Sequence, residues 1–519
     1  MNQFIKKCFL IIFTGYSCAY ADVKLASPFS DHMVLQREIV VPVWGTADAG
    51  EKVTVKLGAQ TKTTITKANG KWMVKLNKLK AGGPFVMTVT GKNKLSIDDV
   101  YAGEVWVCSG QSNMDFTVAQ EDRYWCGVYN EKEEVAQANY PLIRVFDTDF
   151  APNNQAQDFV KGNWEVVSPQ SIGHLSAVAY FFAREIQKKI KVPIGLITTA
   201  YGASTAEAWI RKESLEKNAI FKGLLNSFDD KLIKFKADTG AKTTYNTALE
   251  KWKIAAAKAK ADGKDAPRGP KNPDPVMDQH NPYVLWNGMV KPLVPYAIRG
   301  ALWYQGESNS PTASIYKNLM ETLIKDWRTQ WGQGDFPFYY VQLANIGKEI
   351  EFVPAKGGTE AIKREAQLQN LLLPHTAMAV AIDNANPENM GDVHPKNKQD
   401  IGYRLALPAL NNIYKVKTPY SGPIYQKMQV FGNTIKIYFK HVEGGLIIKG
   451  DELKGFAIAG EDKKFVWAKA TIVGNEILIT SPEVLNPKAI RYGWGANPII
   501  SLYNSANLPA SPFRTDNWK

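Results

Sequence analysis

Ile298-Arg299-Gly300-Ala301-Leu302-Trp303-Tyr304-Gln305 is an apolar run of strand length that breaks at Gly306-Glu307-Ser308-Asn309, after which helical spacing of apolar residues takes over across 315–331. A run with so little polar alternation reads as a strand buried on both faces. The unit recurs downstream, where 337–343 precedes a helix near 362–373 and 377–383 precedes one near 396–413. Upstream, 104–109, 142–146 and 194–200 have the same character, with a helix near 175–190. Buried strands alternating with amphipathic helices predict an α/β core, a parallel sheet covered by helices on both faces. Sites on such sheets form beyond the carboxyl ends of the strands.

On either side of this core the period changes from helical to two. Val53-Thr54-Val55-Lys56-Leu57 and Trp72-Met73-Val74-Lys75-Leu76 alternate between turns of Gly, Asn and Lys, and Ile435-Lys436-Ile437-Tyr438-Phe439 and Glu476-Ile477-Leu478-Ile479-Thr480 do the same near the end of the chain. These patterns predict antiparallel, β-sandwich-like domains over 22–103 and 416–519, flanking a central domain over 104–415. Within the centre, Ile220, Leu224, Leu225, Phe228, Leu232 and Ile233 fall at helical spacing before an Ala- and Lys-rich segment, and Pro267, Pro270, Pro273 and Pro275 follow. The reading is a helical hairpin inserted near 212–280 and returned by an exposed loop, a peripheral insertion with a lid as the alternative.

A chain of 519 residues has material for two or three domains, and 45% hydrophobic with 22% charged residues, including 14 Trp and 22 Tyr, excludes disorder. The formal charge of +13 owes much to lysines between 212 and 271, which read as a solvated face, so nucleic acid is not an expected partner. Residues 1–21 read as a signal peptide: Lys6 and Lys7 precede an apolar stretch too short for a bilayer, and Ala19-Tyr20-Ala21 offers a small-x-small cleavage site. The expected location is secreted or periplasmic, a lipid-anchored Cys18 is the competing reading, and no later segment has transmembrane length. Cys108 and Cys126 remain after cleavage, and their pattern leaves a disulfide and free thiols both open.

Three loops carry candidate chemistry. Ser112 lies just past 104–109, where Gly110 lets the chain turn sharply, and a serine hydroxyl becomes a nucleophile when a neighbouring base takes its proton. His394, one of six histidines, follows Asp392 by two residues, and a carboxylate beside an imidazole fixes its tautomer and stabilises its charged form. Asp383 is the alternative orienter. Attack on an ester places negative charge on the carbonyl oxygen, and the candidate donors to it are the backbone of Ser112, the backbone of Gly202 and the side-chain amide of Asn309. Gln111, Gln305 and Glu307 adjoin these positions and read as substrate-contacting or supporting residues.

The segments Val105-Trp106-Val107-Cys108-Ser109-Gly110-Gln111-Ser112-Asn113-Met114, Trp303-Tyr304-Gln305-Gly306-Glu307-Ser308-Asn309 and Asp392-Val393-His394-Pro395-Lys396-Asn397-Lys398 resemble the sialate O-acetylesterase family, within the SGNH hydrolases. The resemblance extends to Gly202-Ala203-Ser204-Thr205-Ala206-Glu207-Ala208-Trp209 and to Leu502-Tyr503-Asn504. It implies an SGNH-like three-layer αβα core and a serine esterase that needs no metal or other cofactor, with Ser112 as nucleophile, His394 as base, Asp392 as its partner, and Gly202 and Asn309 completing the oxyanion hole. The acid stands two residues before the histidine rather than the three of the broad SGNH pattern.

The expected substrate is an O-acetylated glycan or sialoside, with acetylxylan as the alternative. A sialate site needs a cation for the sugar carboxylate, for which Arg123, Arg144 and Arg364 are candidates, whereas a xylan groove needs aromatic platforms such as Trp125, Trp209 or Trp286. A non-catalytic glycan-binding protein is the rival of another class, and a glycoside hydrolase using Glu307 and Asp392 is the rival within enzymes. Oligomeric state leaves no signal in the sequence.

Overall fold

The computed structural model describes residues 22–264 and 266–518; the expected signal peptide lies outside the described residues. The central sheet runs in the order Gly162–Val167, Tyr140–Thr148, Ile194–Ala200, Lys94–Gly110, Gly300–Tyr304, Phe338–Gln342, Thr376–Val380. All neighbours in this order are parallel except the first pair, which is antiparallel. The apolar runs thus become adjacent strands although as many as 189 residues, those between Gly110 and Gly300, separate neighbours in sequence.

Alternate side chains of these strands enter two separate cores. Val105, Val107, Ala301, Trp303, Phe338 and Tyr340 join one, together with Leu319, Leu323 and Trp327 of the helix Tyr316–Trp331. Trp106, Cys108, Leu302, Tyr304, Tyr339 and Val341 join the other, together with residues of Ala177–Ile190 and Lys398–Pro408. Burial on both faces is the physical reason the strands lack polar alternation. Trp303 meets Trp209 and Trp327 edge to face at 6.2 and 6.1 Å, contacts that contribute about 0.5–1.5 kcal/mol each beyond area burial.

The helices end on local signals. Ser176 Oγ accepts from Ala179 N at 3.3 Å to cap Ala177–Ile190, Asn397 accepts from Asp400 N at 3.1 Å to cap Lys398–Pro408, and Tyr316–Trp331 stops at Gly332 in the left-handed region. The expected helix at 362–373 begins earlier, at Thr359, and its last turn tightens to a 3-10 helix over Asn370–Leu372.

Strand Lys94–Gly110 runs unbroken through residues 103 and 104: its first half pairs antiparallel with Gly82–Thr90 and its second half lies in the parallel sheet. Antiparallel sheets also form near the C-terminus, one of them Ile424–Phe431, Thr434–Lys440, Glu476–Thr480 and Lys469–Val473. The insertion is a pair of helices, Lys222–Ala237 and Ala241–Ala261; the first buries Phe228 and the second buries none of its residues. Cys108 and Cys126 are both buried free thiols. Among the described residues no helix is long and apolar enough to cross a membrane.

Candidate active site

The parallel register sets Gly110 opposite both Ala200 and Tyr304, so the loops that follow these three strands leave the sheet side by side. Gly110 has φ +146°, and a Cβ there would lie 2.1 Å from Tyr304 O; only glycine permits the turn. Gln111 N then donates to Tyr304 O at 3.0 Å, and Ser112 opens the short helix Ser112–Asp115. Gly306, also at φ +146°, makes the matching turn in the next loop, where the Gln111 side-chain oxygen accepts from Gly306 N at 3.2 Å and Ser308 N at 3.3 Å.

His394 reaches this edge on the loop after Thr376–Val380. Its Nε2 is 2.9 Å from Ser112 Oγ although 282 residues separate the two. The face of the imidazole lies against Trp125, with ring centroids 4.7 Å apart. Burial first, and the positive charge of Lys398 second, lower the imidazole pKa to about 4, with Asp392 opposing them. The ring is therefore neutral at physiological pH and free to accept a proton.

Asp392 Oδ1 accepts the backbone N–H of His394 at 2.9 Å and lies 3.7 Å from Nδ1, while Oδ2 accepts from Asn386 Nδ2 at 3.1 Å. At 3.7 Å the ring contact is longer than a hydrogen bond, and it becomes a charge pair only when the imidazole takes up a proton. Asp383 is directed elsewhere: both its oxygens bind Arg404, at 2.6 and 3.0 Å, and Tyr503 Oη donates to it at 3.1 Å. Glu307 accepts from Asn113 Nδ2 at 2.6 Å, and its other oxygen is buried without a partner; burial raises its pKa.

Gly202 borders Ser112, since a Cβ on it would sit 3.7 Å from Ser112 Cβ. Asn309 departs from expectation. It is fully buried, both hydrogens of Nδ2 are donated, to Glu207 at 2.8 Å and Thr312 at 2.9 Å, and Oδ1 accepts from Ala206 N at 2.9 Å and Gln305 Nε2 at 2.6 Å. An amide with every hydrogen committed has none left for an oxyanion, so its place is under the site rather than in it. Gln305 is equally buried, bonded to Ser204 O and to Tyr316 Oη.

Of the three candidate arginines, Arg144 is held by the carbonyls of His32 and Asp99 and Arg364 by four carbonyls, those of Leu343, Ala344, Gly495 and Ala496. Arg123 is half-exposed, pairs with Asp115 at 3.0 Å and lies over Trp125 at 5.8 Å. Asp115 is itself buried enough that its pKa rises to about 7 despite that arginine. Trp209 and Trp286 are core residues, which leaves Trp125 as the one of the three candidate platforms at the site.

Two residues quoted for the resemblance had no role assigned from sequence. Asn113 and Lys398 are buried and bonded to each other at 2.6 Å directly behind Ser112 and His394. The available signal was weak: a lysine one helical turn beyond a histidine usually points to solvent.

The chain matches the profile of the family described as "Carbohydrate esterase, sialic acid-specific acetylesterase" over residues 102–261 and 283–411. It is 28% identical to a protein named sialate O-acetylesterase from Rattus norvegicus, over 94% of this chain and 94% of that relative. The protein of the same name from Homo sapiens is 29% identical over 94% of this chain and 92% of its own. A crystal structure of a carbohydrate acetylesterase from Xanthomonas citri superposes with a TM-score of 0.78 at 32% identity, covering 96% of this chain and 100% of that one. With more than half of its length matched to the family profile, this chain belongs to the sialic acid-specific acetylesterase family, carbohydrate esterases that hydrolyse acetyl esters.

Proposed function

We propose that the protein removes O-acetyl groups from sialic acids, with Ser112 as nucleophile, His394 as general base and then acid, and Asp392 as the partner of the imidazole. The observation that carries this reading is the 2.9 Å separation of Ser112 Oγ and His394 Nε2, the geometry proton transfer needs. Ser112 Oγ bonds the acetyl carbon as its proton passes to Nε2. The carbonyl electron pair moves onto oxygen, beside the N–H groups of Ser112 and Gly202. The first is the leading N–H of a helix, without an intrahelical acceptor, and neither N–H has a backbone partner among the described residues.

Collapse of the tetrahedral adduct expels the sugar oxygen, which takes the proton from His394 and leaves an acetyl ester on Ser112. Water then attacks that ester, giving its proton to His394. A second collapse releases acetate and returns the proton to Ser112 Oγ. The 3.7 Å between Asp392 and Nδ1 is compatible with this role, because triad contacts in free enzymes are often long and shorten in the substrate complex. The topology supports an SGNH-like three-layer core with its site at the carboxyl ends of the strands.

The choice of sialate over xylan rests on the relatives' name and on Arg123 and Trp125, a half-exposed cation and an aromatic wall beside His394. Both features suit a sugar carrying a carboxylate. Mass spectrometry of acetate release from O-acetylated sialosides and acetylated xylo-oligosaccharides tests it, with a preference of about tenfold, or 1.4 kcal/mol in transition-state binding, sufficient to decide. Preference for the xylo-oligosaccharide overturns the sialate reading while leaving the esterase intact. We also place the enzyme outside the cytoplasm after loss of residues 1–21, which N-terminal sequencing of the mature protein checks.

A further inference from the structure

His394 is flanked by two carbonyls, and both are held by side chains from behind the nucleophile. Asn113 Nδ2 donates to Val393 O at 3.0 Å, and Lys398 Nζ donates to Pro395 O at 2.6 Å. Lys398 Nζ also donates to Asn113 Oδ1 at 2.6 Å, and the other Nδ2 hydrogen of Asn113 goes to Glu307 Oε1 at 2.6 Å. Asn113 is the residue after Ser112, so these bonds join the backbone of the nucleophile to the backbone on both sides of the base.

We propose that Asn113 and Lys398 form a clamp, with Glu307 as its counter-charge, that holds His394 in register with Ser112; they are positioning residues of the esterase. The proposal rests on the reading of Ser112 and His394 as nucleophile and base. A packing role alone does not account for a lysine here. Its ammonium sits 4.3 Å from the ring of Phe116 and 5.6 Å from that of Tyr304, fully buried, where a methionine would fill the space without the cost of desolvating a charge.

The lysine also has an electrostatic consequence for the base. The groups facing His394 are Asp392, which favours the imidazolium, Lys398, which disfavours it, the Ser112 hydroxyl and the Trp125 ring. Glu307, Cys126 and Asp392 in turn favour the charged form of Lys398, whose pKa burial lowers to about 7. At the acid limb of activity Lys398 is therefore protonated, and it repels a proton arriving on His394.

The test compares the full chain with Lys398→Met, Lys398→Gln and Asn113→Ala, using kcat and KM on p-nitrophenyl acetate across pH, thermal melts, and mass-spectrometric mapping of a fluorophosphonate label. Lys398→Met and Asn113→Ala are expected to lower kcat about tenfold or more with KM within about twofold, because misplacing reacting groups costs rate rather than ground-state binding. Lys398→Met and Lys398→Gln are also expected to move the acid limb of kcat/KM upward by roughly half to one pH unit, as loss of a nearby like charge requires. A merely structural lysine would lower stability and leave kcat of the folded enzyme in place, whatever the loss of its charge does to that limb. Folded Lys398→Met with kcat within about twofold of the parent overturns the clamp. If Lys398→Met does not fold, Asn113→Ala decides on the same kcat criterion. Labelling at a residue other than Ser112 overturns the nucleophile reading itself, whereas a label on Ser112 combined with inert clamp variants overturns the clamp alone.

Discussion

Replacing Asn309 with alanine separates a scaffold role from an oxyanion role, because the two predict losses in different quantities. The substitution removes the acceptor of Ala206 N–H and the donor to the buried Glu207 carboxylate, and it also strips Gln305 Nε2 and Thr312 Oγ1 of one partner each. A buried group left unsatisfied costs about 1–3 kcal/mol and a charged one more, so the Ala206 and Glu207 losses together come to about 3–5 kcal/mol. With an unfolding entropy of about 2.1 cal/mol/K per residue, a chain of 519 residues shifts by about 1 °C per kcal/mol, so the melting temperature should fall by about 3–5 °C. Differential scanning fluorimetry reads that shift, and kcat for p-nitrophenyl acetate at a temperature where the variant is folded reads the chemistry. The scaffold role predicts a drop of several degrees in melting temperature with kcat reduced less than about tenfold. Loss of a direct oxyanion donor predicts the reverse, an intact melt with kcat down about 10²–10³-fold, and that result would return Asn309 to the oxyanion hole.

Other outcomes follow from the same geometry. Ser112→Ala should lose roughly 10³-fold or more in kcat with the fold intact by circular dichroism, and retention of most activity on an aryl acetate sinks the mechanism. The two candidate orienters should part company: Asp392→Asn lowers kcat by about 10²–10⁴-fold, whereas Asp383→Asn breaks the pair with Arg404 and costs about 3–5 kcal/mol of stability, with kcat of the folded fraction retained. The acid limb of kcat/KM should fall near the lowered His394 pKa of about 4 rather than near 6.5, which a pH–rate profile measures directly. The same shift has a stability sign. Between pH 4 and 6.5 the unfolded chain carries a proton on His394 that the folded chain does not, so this group makes the fold less stable as pH falls through that window, and urea midpoints across it report the slope.

Much of the fold is legible along the chain because the controlling signal is local. The apolar runs at 194–200, 298–305 and 337–343 and the helical periodicity at 315–331 each depend on which faces of one element meet a core, and the observed Ile194–Ala200, Gly300–Tyr304, Phe338–Gln342 and Tyr316–Trp331 follow them closely. Element edges are less legible. The strand Lys94–Gly110 continues through two sheets because its pairing partners change midway, from Gly82–Thr90 to Gly300–Tyr304, and a change of partner leaves no mark on residues that stay extended.

What the sequence alone determined was the set of elements and the presence of a serine, a histidine and an acid on loops that follow buried strands, since strand burial and glycine turns are written in consecutive residues. Which polar atoms meet is settled by packing in three dimensions. Asn309 turns its amide toward Glu207, Asp383 is taken by Arg404, and Lys398 is bonded to Asn113, each through a partner more than ten residues away. A side chain has few hydrogen-bonding hydrogens, and which acceptor takes them depends on distant neighbours competing in space, so residue type and spacing name the candidates while packing assigns the bonds.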